Sequence, residues 1–199
     1  MALERLNLEH VPPEYRVYAA FFRDVANTDF LHAQLLSRNG DFEYAFVDAS
    51  SVASRLHLLT AIYNALNILI DGTLRTPNVH SEIVVSLSTN NNIADAYRRW
   101  GITPGKTKDL IVVKVVSPLS APEARAQTPD SIWAHLTKHI KGTPTPFTDP
   151  ELSHATDWPK VRRYYRLNGV PALEKLDNEE ERRRQMERLA IMGMALRGL

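Results

Sequence analysis

The chain has 199 residues, 44% of them hydrophobic, which suits one domain with a sizeable core and excludes a disordered tail. Lys and Arg total 24 against 23 Asp and Glu, so global charge does not mark a nucleic-acid binder and any anion site must come from a local cluster. Cysteine is absent, which excludes disulfides, thiol nucleophiles and cysteine metal sites and agrees with a reducing compartment.

Glu4, Arg5, Glu9 and His10 leave no signal-peptide core, and no apolar run reaches the roughly 18 residues of a membrane span, so a soluble intracellular protein is expected. After Pro12 and Pro13, Tyr15 to Phe22 is rich in valine and aromatic residues and predicts the strand that opens a sheet. Asn27 or Thr28 caps a helix carrying Phe30, Leu31, Leu35 and Leu36, stopped by Asn39 and Gly40. Phe42 to Asp48 reads as a second strand. From Asp48 to Asp71, Val52, Leu56, Leu59, Tyr63, Leu66 and Ile70 form one stripe and Leu58, Ile62, Ala65 and Leu69 another. So wide an apolar arc predicts a central helix between the sheet and another element.

Gly72 to His80 is a connection, and the stretch from Ser81 to Ile102 then organises the chain. Ile83, Val84, Val85 and Leu87 form a β-branched apolar run without alternation, which predicts a strand covered on both faces. Ser88 to Asn92 is a polar turn, with Asn91 or Asn92 as N-cap of a short helix. Ile93, Ala96, Tyr97 and Trp100 share one face of that helix, Arg98 and Arg99 complement its C-terminal dipole, and Gly101 ends it.

Leu110 to Val116 is apolar on both faces except for Lys114 and predicts a central strand. Ser117 to Pro129, rich in Pro, Ala, Ser and Glu, reads as a mobile surface loop. Pro129 opens a helix lined by Ile132, Leu136 and Ile140 and ended by Gly142, and Thr143 to Pro146 is extended. Thr156 or Asp157 starts a helix to Leu167, closed by Asn168 and Gly169. The last helix begins near Asp177, with Glu179 and Arg183, and Glu180 and Arg184, paired four apart on a solvated face. The order predicts an α/β class: one domain over residues 1–199, with a central sheet of about four strands flanked by helices, plus a C-terminal helix.

No catalytic pattern is present: no nucleophile elbow, Walker loop, H-E-x-x-H or cysteine pair. His135 and His139 lie four apart on a helix, but without a third ligand they read as a surface pair, so no metal and no cofactor are expected. Three features remain. Asn90, Asn91 and Asn92 are either turn and cap chemistry or a recognition edge, offering donors and acceptors to a nucleobase beside a helix N-terminus, with Ile93 as an apolar support. Arg162, Arg163 and Arg166 with Tyr164 and Tyr165 are either a solvated basic face or a phosphate-contacting, base-stacking segment. Ile191, Met194, Ala195 and Leu196, followed by Arg197, are either buried within this chain or a partner surface.

The run LSTNNNIADAYRRWGI resembles the LSP-x-NNI-x-EA-x-x-x-FGI signature of the small accessory subunit of the KEOPS (EKC) complex that binds the PRPK-like atypical kinase, in its fungal form. VRRYYRL from Val161 to Leu167 is similar to the basic segment of that family, the ending ALRGL to its terminal element, and FVD at Phe46 to Asp48 agrees. Trp100 stands where the family usually has Phe, and Thr89 where it often has Pro. Met192 and Gly193 depart from the more usual D-A pair. The resemblance implies a mixed sheet and a non-catalytic subunit, with the kinase docking on the C-terminal element and the Kae-like catalytic subunit reached indirectly. It further implies binding of the tRNA 3′ end at the asparagine turn and basic segment, in support of N6-threonylcarbamoyladenosine formation. A link to telomere maintenance in eukaryotes, a location in nucleus and cytoplasm, and no small-molecule substrate complete the expectation. Two rival readings are a small α/β nucleotide-binding enzyme with the asparagine turn as phosphate site, and a structural adaptor without RNA contact. The adaptor reading has the arginines around Arg162 and the asparagine turn facing different directions.

Overall fold

The computed structural model describes residues 3–197. Five strands form the sheet: β1 (Leu3–Leu6), β2 (Arg16–Arg23), β3 (Ala45–Asp48), β4 (Leu110–Val116) and β5 (Thr143–Thr145). Ten helices accompany them: α1 (Thr28–Leu36), α2 (Arg55–Ile70), α3 (Val79–Ser86), α4 (Ile93–Trp100), α5 (Pro122–Arg125), α6 (Pro129–His139), α7 (Asp149–Ala155), α8 (Trp158–Tyr164), α9 (Pro171–Glu174) and α10 (Glu179–Ala195). The strand order is β1-β2-β4-β3, and β5 shares with β1 the edge of β2 that β4 leaves open.

The central strands are apolar on both sides because helices cover both faces of the sheet. Val17, Ala19 and Phe21 of β2 join Ile111, Val113 and Val115 of β4 in a core shared with α2, α3, α4, α8 and α10. Tyr18, Ala20 and Phe22 join Leu110, Val112 and Val116 in a second core under α1 and α6. Lys114, the polar exception in β4, is buried on that second side. Its Nζ donates to the Glu43 carbonyl at 2.8 Å and lies 4.9 Å from the Tyr44 ring centre, and desolvation lowers its pKa.

The α/β class and the flanking helices are as expected. In place of a mixed sheet of about four strands there are five, and every pairing is antiparallel. The main correction concerns Ile83 to Leu87, which form no strand: Val79–Ser86 is helix α3, with Leu87 as its C-cap. Asn78 caps it, its side chain accepting from the Ser81 N–H at 2.9 Å. Seven of its eight residues are buried, and a helix buried all round shows no polar stripe to separate it from a doubly covered strand. Position in the sheet favours the helix. Strand β3 begins at Ala45, opposite Val113, so the edge of β4 beyond it lacks a strand partner; there His80 Nε2 accepts from the Val115 N–H at 2.9 Å.

Other departures are local. The short β1 carries too little pattern to stand out, and Asp48 to Asp71 is helical only from Arg55, after a 3₁₀ turn at Ala49–Ser51 and a cap by Ser54. The second strand is shorter than expected because Gly40–Phe42 makes another 3₁₀ turn, and the 117–129 loop contains the single turn α5. Helix α8 stops at Tyr164, three residues early, and Arg166 takes φ +56°. The asparagine cap of α4, the Pro129 start of α6 and the extended 143–145 segment are as expected.

A buried polar relay joins α2, α8 and the end of α3. The Ala53 N–H donates to His57 Nδ1 at 3.0 Å, so the proton of the neutral ring sits on Nε2, which donates to the Tyr165 hydroxyl at 2.6 Å. Tyr165 in turn donates to the Leu87 carbonyl at 2.6 Å. Tyr165→Phe removes both bonds while keeping the ring. It should cost about 1–3 kcal/mol in urea unfolding, and an unchanged midpoint would show the relay to be energetically idle.

Candidate nucleic-acid interface

The turn between α3 and α4 uses its asparagines unequally. Asn90 accepts from the Asn92 N–H at 2.9 Å, and Asn92 caps α4 by accepting from the Asp95 N–H at 3.0 Å. These two serve the backbone. Asn91 does not: its Oδ1 accepts from Arg75 Nη1 at 2.9 Å and from Arg197 Nε at 3.2 Å. Ile93 and Tyr97, one turn apart on α4, are 37% and 36% exposed and make an apolar face beside the turn.

At the other end of α4, about 12 Å away at 1.5 Å per residue, cations converge. Arg98, Arg99, Lys106, Lys160 and Arg163 line a cleft of about 480 Å³ with Asp48 and Tyr164. Lys160 bonds Asp48 at 2.7 Å, and Arg98 and Arg99 both bond Asp95. Burial pushes the Asp95 carboxyl up, but the hydrogen bond from Arg98 and the charge and hydrogen bond of Arg99 outweigh it and hold the group below its ordinary range. Arg163 and Lys106 have no carboxylate partner among the described residues. Tyr164 is the platform: Arg99 and Arg163 lie 5.5 Å from its ring centre and Lys160 lies 5.8 Å away. Five cations facing two carboxylates leave an excess of positive charge suited to phosphate. Beyond Arg98, on the Tyr97 side, a larger cavity of about 660 Å³ is walled by Leu35, Phe42, Tyr44 and Phe46.

The C-terminal helix separates its faces by spacing. Met186, Ala190 and Met194 are buried four apart, and Met194 Sδ lies 3.7 Å from the Tyr165 hydroxyl. Ile191 is half-buried, Ala195 is exposed, and Met192 and Leu196 are 58% and 60% exposed. Gly193 allows close approach to the asparagine turn, since a Cβ there would stand 2.9 Å from Thr89 Cγ2. The charged first half pairs with itself as expected, Glu179 with Arg183 at 3.2 Å and Glu180 with Arg184 at 2.5 Å. Such exposed pairs contribute little to stability.

A family model described as "Kinase binding protein CGI-121" matches residues 22–198. The chain belongs to the CGI-121 family. It is 58% identical to the EKC/KEOPS complex subunit cgi121 of Neurospora crassa, with all of both chains covered, and 53% identical to that of Gibberella zeae over the same full extent. The Aspergillus terreus subunit is 46% identical, covering 98% of this chain and 97% of its own.

Within this CGI-121 family member the expected site residues do not all come together. Asn90, Asn91, Asn92 and Ile93 stand at one end of α4, and Arg163 stands in the cleft near the other. Arg162 turns away to pair with Glu174, and Arg166 is exposed past the end of α8. Of the C-terminal residues, Met194 packs into the core while Ala195 and Leu196 face out. Arg197 folds back towards α3. Arg98, Arg99, Lys106 and Lys160 are cleft residues that sequence reasoning missed, for the lysines lie singly in their segments and the arginine pair reads as dipole compensation. Among the described residues no three His, Asp or Glu side chains converge on a metal site, and no helix is long and apolar enough to cross a membrane.

Proposed function

We propose that this chain is a non-catalytic subunit of an EKC/KEOPS-type assembly that binds a PRPK-like kinase subunit through the end of α10 and a single-stranded tRNA 3′ end across α4. The kinase-binding description of the matching family and the names of the full-length relatives support the first half. One observation carries the second. Helix α4 links the two: Ile93 and Tyr97 form its apolar face while Arg98 and Arg99 near its end line the cleft around Tyr164, so a strand can lay phosphates among the cations and rest a base on the apolar face. In this reading the protein supports N6-threonylcarbamoyladenosine formation in tRNA, contacts a Kae-like catalytic subunit indirectly, works in nucleus and cytoplasm, and takes part in telomere maintenance.

The enzyme alternative is weakened by the asparagine turn, where Asn90 and Asn92 are occupied by turn and cap. The adaptor alternative finds support only in Arg162, which turns away, whereas Arg163 stands beside Arg99 and Tyr164. Titration of tRNA with and without its 3′ CCA by fluorescence anisotropy tests RNA-end recognition, and equal affinity for both would remove it. Copurification from native cells tests the assembly, and recovery without a kinase-like partner would count against it. Replacing Lys106 and Arg163 together by Ala should weaken tRNA binding and lower the slope of log affinity against log salt by about 1.4, the value for two phosphate contacts to a single strand. An unchanged slope would place the RNA elsewhere.

A further inference from the structure

The side chain of Arg197, the last described residue, folds inward and is only 9% exposed. Arg197 donates from Nε to Asn91 Oδ1 at 3.2 Å and from Nη1 to the Val85 carbonyl at the end of α3, while Nη2 faces the carboxylate of Glu82 at 3.7 Å. Glu82 is fully buried. Its Oε2 accepts from the Thr76 hydroxyl at 2.8 Å and from the N–H groups of Arg75 and Thr76 at 3.2 and 3.1 Å, which leaves Oε1 towards Arg197. The guanidinium thus joins three elements: α10, the end of α3 and the asparagine turn.

The effect on Asn91 follows from hydrogen-bond polarity. Arginine only donates, so two arginines on one side of the amide fix its oxygen there and turn its NH₂ group the other way. No protein acceptor meets that NH₂ group among the described residues. An amide held in this manner presents two donors in a fixed direction, suited to a phosphate oxygen or an acceptor edge of a base.

We propose that Arg197 is a positioning residue for the asparagine turn, holding the Asn91 side-chain oxygen together with Arg75 so that the amide N–H groups on the opposite side face an RNA ligand. This rests on the RNA reading above. It moves Arg197 from the partner surface to the RNA turn. Because its side chain is only 9% exposed and lies against Glu82, Arg197 sets geometry without adding a phosphate contact of its own.

The test is a salt series of anisotropy titrations with CCA-ended tRNA, using wild type, Arg197→Ala, Arg197→Lys, Asn91→Ala and the Arg197→Ala/Asn91→Ala double variant. Both Arg197 variants should bind about tenfold more weakly, the size of one lost hydrogen bond, with the salt slope unchanged. The double variant should bind no more weakly than Asn91→Ala. Arg197→Lys keeps a cation for Glu82 but not the forked geometry, so its melting temperature should stay near wild type while its RNA affinity falls. If Arg197→Ala does not fold, Arg197→Lys is compared with Asn91→Ala instead.

A salt slope lowered by about 0.7 would mean direct phosphate contact and overturn the positioning role. Equal losses in both backgrounds would overturn it too, as would full RNA binding by the Arg197 variants when Asn91→Ala binds weakly. If Asn91→Ala binds as wild type does, the RNA reading of the turn fails first and takes this proposal with it.

Discussion

Leu196→Glu is expected to weaken binding of the kinase subunit by at least about 2 kcal/mol, a loss of some thirtyfold, while leaving the fold intact. The side chain is largely exposed just past the end of α10, so a carboxylate costs nothing in the free protein. In a dry apolar contact the same charge goes uncompensated. Two residues back the outcome reverses. Met194 is 2% exposed in the core, and Met194→Ala should cost about 2–5 kcal/mol of folding stability. Calorimetry of the purified pair, with a denaturation curve for each variant, separates the two effects. A folded Leu196→Glu protein with wild-type affinity would take the docking surface off the end of α10.

The second large effect is on acid stability. Burial lowers the pKa of His57 from 6.5 to about 4, and burial followed by the charge of Lys114 holds His80 well below the ordinary range. Both rings are neutral in the folded protein and accept a backbone N–H, of Ala53 and of Val115. The unfolded chain takes up protons as pH drops through 6.5 and the folded protein does not, so stability is complete above that pH and is lost progressively towards pH 4. For His57 alone the loss is on the order of 3 kcal/mol once both states have titrated. Urea unfolding at pH 7, 6, 5 and 4.5 should show the decline, and His57→Gln should make it shallower. Stability that stays flat from pH 7 to 5 would contradict the buried, neutral rings.

Those rings show what the amino-acid order could and could not convey. Tyr15 to Phe22 was legible as a strand from its valine and aromatic residues, and Leu110 to Val116 as a central one because a strand covered on both sides is apolar throughout; their pairing puts both at the centre of the sheet. The same logic misled at Ile83 to Leu87, where the covering comes from all round a helix. Composition alone does not distinguish the two coverings. Deciding would have required knowing that Asn78 caps and that Glu82 finds three donors in the preceding loop. The candidate site was half legible. Asn92 announces its capping role by its place before Ile93, and the arginines of α8 announce charge. The cleft itself is assembled from Asp48, the end of α4, Lys106 and α8, segments that meet only through the fold. Arg197 was visible as an arginine, but its target lies 106 positions earlier in the chain.

The pairing of β2 with β4 also governs how the chain is made. Phe22 finds Leu110 and Arg16 finds Val116 across most of the first half of the sequence, so the centre of the sheet cannot close until β4 has left the ribosome. At ordinary elongation rates β2 waits on the order of ten seconds for that partner. Throughout that interval the run VYAAFF, wholly buried in the finished protein, stays open to any other strand or to a chaperone. Slowing translation between codons 24 and 110 would lengthen that exposure, and faster synthesis of the same stretch would shorten it.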